Sequence, residues 1–118
     1  MAREPKILDV EDALKRTKGD AALLQTLLAD LLRMLPDFLF RFQKALENNA
    51  MVQLSRDAQQ LKGAAGNLAA GKIAALATLL GQTARQGNTL EVHDALDRLK
   101  PAINELSDHI AQMNWADI

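Results

Sequence analysis

Apolar residues recur along most of this chain at spacings of three and four, the period of a helix that buries one face. A short first helix is signalled by Asp9, with Asp12 three residues on, and should end near Arg16. The second segment, Ala21 to about Asn48, carries Leu24, Leu27, Leu28, Leu31, Leu35, Phe38, Leu39, Phe42 and Leu46 on one stripe. At about 1.5 Å per residue this predicts a helix of roughly 40 Å. Pro36 lies inside it and has no N–H for the carbonyl of Leu32, yet the apolar phase runs through, so a kink rather than an end is expected. A third segment aligns Leu54, Ala58, Leu61, Ala65 and Leu68, and a fourth, about Gly71 to Gln86, aligns Ile73, Leu76, Leu80 and Ala84. The last runs from Val92 through Leu96, Leu99, Ile103, Leu106, Ile110 and Met113, with a second kink expected at Pro101.

The breaks between these stripes carry helix-ending chemistry. Lys18-Gly19-Asp20 offers a glycine for the left-handed close of one helix and a carboxylate cap for the next. Asn48-Asn49 reads as a turn, and Gly87-Asn88 supplies a terminal glycine and a new cap, with Glu91 at capping-box spacing. Four amphipathic helices joined by such short connections must pack as antiparallel neighbours. The expected fold is therefore all-α: an antiparallel up-down four-helix bundle with a short N-terminal capping helix. One domain over residues 1–118 is expected, with residues 1–8 loose. The near-heptad seam of the last segment would also suit a coiled coil, but partner helices of matching length lie in the same chain.

Composition narrows the class further. The chain has 20 Ala and 21 Leu against 3 Val, 5 Ile, 5 Thr and no Tyr, which favours helices over sheets. Lys and Arg number 14 and Asp and Glu 15, for a net charge of −1, so the footprint of a dedicated nucleic-acid or anionic-membrane binder is missing. Cysteine is absent, which excludes disulfides, thiol nucleophiles and cysteinyl metal sites. No apolar run approaches the roughly 18 residues that span a bilayer, and a soluble, cytoplasmic chain is the expectation.

One stripe does not fit simple bundle packing. Ser55, Gln59, Lys62, Gly63 and Gly66 share a flank of the third segment, and two glycines inside a helix cost about 1 kcal/mol each relative to alanine. Either the glycines admit a neighbouring helix at short range, or they leave the surface bare for another protein's backbone, with the Lys62 ammonium as a point charge for an anion.

The run Ala58-Gln59-Gln60-Leu61-Lys62-Gly63-Ala64-Ala65-Gly66-Asn67-Leu68 resembles the signature of histidine-containing phosphotransfer (HPt) domains, A-H-x-L-K-G-A-A-G-N-L-G-A. Leu8-Asp9, Ala13-Leu14, Gly19-Asp20 and Ala84-Arg85-Gln86-Gly87-Asn88 agree with it, so the resemblance covers about residues 8–110. It implies a module of two-component phosphorelays whose partners are response-regulator receiver domains or hybrid histidine kinases, with no cofactor. In the family a histidine occupies the position of Gln59 and carries a phosphoryl group between receiver aspartates. A neutral imidazole has an in-plane lone pair for that attack, whereas the nitrogen lone pair of a carboxamide is delocalised into its carbonyl. The resemblance thus implies a chain that, as written, cannot act catalytically. Ala69, where the family often has glycine, and Gly81, where it often has glutamate, are further departures.

Nothing else in the sequence supplies the missing chemistry. His93 and His109 lie in the last segment outside any such motif, and His93 has Asp97 one turn on as a surface partner. No metal-ligand spacing is present. Lys15, Arg16 and Lys18 read as a solvated face, and Met113 with Trp115 as a last apolar turn folded onto the bundle. The leading expectation is a pseudo-phosphotransfer adaptor that docks receivers through Ser55, Gln59, Lys62, Gly63 and Gly66. The alternatives are a genuine phosphotransfer domain whose histidine was replaced, and a helical bundle with an unrelated interaction role.

Overall fold

The computed structural model describes residues 4–118, and every regular element in them is helical. They are α1 (Val10–Arg16), α2 (Ala21–Glu47), α3 (Met51–Asn67), α4 (Gly71–Arg85) and α5 (Thr89–Gln112), followed by a 3-10 turn at Trp115–Asp117. The caps are those the sequence predicts. The carboxylate of Asp9 accepts from the N–H of Asp12, Asp20 from Leu23 at 2.9 Å, and the Asn88 side chain from Glu91. Each satisfies a backbone donor that the helix leaves unpaired. Pro36 and Pro101 are exposed, and α2 and α5 continue through them as single helices.

The long helices close a ring of contacts. Helix α3 packs most extensively on α4, α4 on α5, and α2 on both α3 and α5. Connections of three residues, at 48–50, 68–70 and 86–88, keep sequence neighbours adjacent in space. The predicted stripes all turn inward: Leu24, Leu28, Leu35, Phe42, Leu54, Ala58, Leu61, Ala65, Leu80, Val92, Leu99 and Leu106 are fully buried. Among the described residues no buried side-chain nitrogen or oxygen lacks a hydrogen-bond partner. The molecule measures 46 × 34 × 22 Å, its length set by the 27 residues of α2.

The segment ahead of α1 departs from expectation. Residues 1–8 read as loose in the sequence; residues 1–3 lie outside the described residues, but the rest is tied down. The N–H of Lys72 donates to the Lys6 carbonyl at 2.8 Å, and the N–H of Asp9 to the Ala69 carbonyl at 3.0 Å. Leu8 is buried in the core, and Gly71 leaves room for the segment, since a Cβ there would come within 3.1 Å of the Lys6 carbonyl oxygen. The pattern missed this because one buried leucine on an extended segment has no period to detect.

Candidate functional site

Helix α3 exists because its inner stripe is continuous: Leu54, Ala58, Leu61 and Ala65 seat it against α2 and α4 without a gap. That burial fixes what faces outward. Gln59, Lys62 and Gly63 are exposed, and Ser55 and Gly66 half-buried, so all five residues of the anomalous stripe lie on the outer side of one helix. A Cβ added at Gly63 or at Gly66 would meet nothing within 4 Å. The glycines therefore do not admit a neighbouring helix. The helix helps itself to no packing there, and its backbone is open to whatever approaches.

Two different borders flank this surface. Towards α2 runs a shallow apolar groove lined by Leu27, Leu31, Met34, Ala64 and Leu68, with Arg16 and Asp30 at its rim. Towards α4, Arg85 reaches across and its Nη1 donates to Ser55 Oγ over a long 3.4 Å. Arg56, one turn before Gln59, is also exposed. Most cations among the described residues have carboxylate partners, such as Arg16 with Asp12, Arg33 with Asp30, Arg41 with Asp37 and Lys72 with Glu105. Among the described residues none lies within ion-pair reach of Arg56, Lys62 or Arg85. Arg56 and Lys62, each about one turn from Gln59 on α3, and Arg85, which reaches Ser55, thus bring three uncompensated positive charges to this face in a protein whose net charge is −1.

Arg56 and Arg85 were not singled out by motif or period. The signal that finds Arg85 is a gap in the charge pattern: residues 58–90 hold Lys62, Lys72 and Arg85 and not one Asp or Glu, whereas Arg56, next to Asp57, leaves no such mark. Asp57 was missed as well. It sits on the inner flank of α3, buried, and accepts from Gln53 Nε2 at 3.1 Å, with Arg41 of α2 beside it.

The other sequence candidates stay apart from this surface. His93 and His109 are exposed on α5, and His93 Nδ1 stands 3.5 Å from Asp97 as the spacing suggests. Among the described residues no group of His and carboxylates is arranged to hold a metal ion. Lys15, Arg16 and Lys18 are exposed, and Met113 and Trp115 half-buried, the 3-10 turn packing on α2. None of the helices described is long and apolar enough to cross a membrane.

The α3 face is thus an outward helix surface that is bare at its glycines, cationic, and bordered by an apolar groove. The family model described as Hpt domain matches residues 26–112, from the first turns of α2 to the last residue of α5. The chain belongs to the Hpt domain family, the phosphotransfer modules of two-component phosphorelays, whose members interact with receiver domains and histidine kinases. The match leaves out α1 and the segment ahead of it. No curated protein and no solved structure matched the chain.

Proposed function

We propose that this domain docks receiver domains, alone or within a hybrid kinase, through the outer face of α3, and that it does not take up their phosphoryl group. Gln59 occupies the place of the family's reactive histidine in this reading. Transfer requires a nitrogen lone pair to form a bond to phosphorus while the receiver's aspartyl carboxylate departs, and an amide nitrogen has none to give. What remains is recognition: Lys62 meets the acidic pocket of the receiver, bare backbone at Gly63 and Gly66 allows close approach, and the groove lined by Leu27, Leu31 and Met34 supplies apolar contact. The output is competition or sequestration. The observation that carries the reading is the openness of the two glycines on an exposed, cationic helix face.

In the same reading the four long helices run up and down as one domain, α1 caps one end of the bundle, and the protein works in the cytoplasm with neither nucleic acid nor membrane as partner. Titration calorimetry against the receiver domains of its own genome tests it. Binding in the micromolar range, lost on Lys62→Ala or Gly63→Glu, is expected, and incubation with a phosphorylated receiver should leave no acid-labile label on the chain. Label on the unmodified protein would overturn the inert role, and unchanged binding by both variants would overturn the docking face. Gln59→His gaining such a label would show that the rest of the surface still supports transfer.

A further inference from the structure

We infer that the groove between α3 and α4 at Ser55, one turn before Gln59, takes an acidic side chain of the docked receiver; this rests on the receiver-docking reading above. Its walls are Met51, Val52, Ser55 and Arg56 of α3 with Arg85 and Gln86 at the end of α4. Two guanidinium groups line one groove, both exposed and neither answered by a carboxylate among the described residues. Guanidinium forks are matched to carboxylates, so a free pair at a groove is a receptor for one.

The cause lies at Gly81. Position 81 is one turn before Arg85 on α4, where a carboxylate would pair with it intrahelically. A Cβ at Gly81 would lie 3.6 Å from Arg85 Nη1 and 3.7 Å from the Ala58 Cβ. With no side chain there, Arg85 folds back over the bare turn and reaches Ser55, one turn before Gln59 on α3. The glycine thus leaves the cation unneutralised, and Arg85 leans towards the docking face. Val52, 70% exposed on the same groove, adds an apolar foothold, so the fitting partner presents an acidic residue with an apolar one beside it.

The test uses the full chain and a receiver domain that binds it, with affinity measured at low and at physiological salt. Arg85→Glu and Arg56→Glu, both at exposed positions, should each weaken binding about ten-fold or more at low salt and flatten its salt dependence. Gly81→Glu should do the same by supplying the carboxylate from within, and Arg85→Glu keeps the test decisive should that variant fold poorly. Reversing one acidic residue of the receiver to lysine should recover binding to Arg85→Glu. Affinity unchanged by both arginine reversals, while Lys62→Ala still weakens binding, would overturn the groove and leave the docking face standing. A chain that binds no receiver at all would overturn both.

Discussion

The carboxylate of Asp57, buried on α3, lies 3.7 Å from Nη1 of Arg41 on α2. Arg41 also pairs with Asp37 one turn back on its own helix and lays its guanidinium 5.1 Å from the centre of the Phe38 ring. This arrangement is lopsided, because only the acid is out of water. Removing Arg41 strands a buried charge with Gln53 as its remaining partner, whereas removing the charge of Asp57 leaves Arg41 its other contacts and solvent. Arg41→Met should therefore cost about 1–3 kcal/mol of stability and Asp57→Asn less than about 1 kcal/mol. Urea denaturation of the two single variants and the double variant checks the order, and equal losses would contradict it.

The segment ahead of α1 should matter more than its lack of secondary structure suggests. Leu8 is 6% exposed, and Lys72, whose N–H bonds the Lys6 carbonyl, also pairs through Nζ with Glu105 of α5 at 3.0 Å. Leu8→Ala should lower stability by about 2–3 kcal/mol, in the range of other buried leucine truncations. The Lys72–Glu105 pair, with both side chains about two-fifths exposed, contributes well under that, so Glu105→Gln should cost no more than about 0.5 kcal/mol. Thermal unfolding of the two variants side by side separates a packing anchor from a screened ion pair.

Much of this architecture was legible because helix-forming stripes, caps and turn residues all point the same way. Asp9, Asp20 and Asn88 cap the helices their positions imply, and Leu54, Ala58, Leu61 and Ala65 bury as their spacing requires. The same arithmetic left open whether the flank of Gln59, Lys62 and Gly63 was bare or covered, because glycines there could also have admitted a neighbouring helix; the open space at Gly63 and Gly66 is a tertiary fact. What escaped was non-periodic. Leu8 sits on a non-helical segment, Asp57 is a charge whose partner lies on another helix, and the reach of Arg85 to Ser55 depends on how α3 and α4 cross. None of these leaves a mark at a spacing of three or four.

Helix ends supply a second stability experiment. Lys18, Gly19, Asn49, Ala69 and Gly87 all take positive φ, the left-handed geometry in which a chain leaves a helix. Ala69, at φ 57°, shows why a glycine suits that position: its N–H bonds the Gly66 carbonyl and that of Ala70 the Ala65 carbonyl, which closes α3 only in this conformation. At Gly87, φ 69°, a methyl would find open space, so backbone strain alone is at stake. Gly87→Ala should cost about 1 kcal/mol and Lys18→Gly, at φ 55° on an exposed turn, should gain up to about 0.5 kcal/mol. Opposite shifts in the urea midpoint are the expected result.

Gly63 and Gly66 offer the sharpest separation of folding from function. A methyl at either meets nothing within 4 Å, so nothing in the folded chain opposes alanine, and each substitution should raise stability by about 0.5–1 kcal/mol through helix propensity. A docking face that depends on backbone approach predicts the reverse for binding, because each methyl holds the partner's backbone away from α3. Gly63→Ala and Gly66→Ala should therefore unfold at higher urea and bind a receiver more weakly. Greater stability with unchanged affinity would mean that the partner never comes near the bare backbone, and the glycines would then have no part in recognition. Lower stability would mean that the surface is covered in solution by something other than solvent. Only the pairing of a more stable fold with a weaker complex fits a helix whose own packing was given up so that another molecule could lie against it.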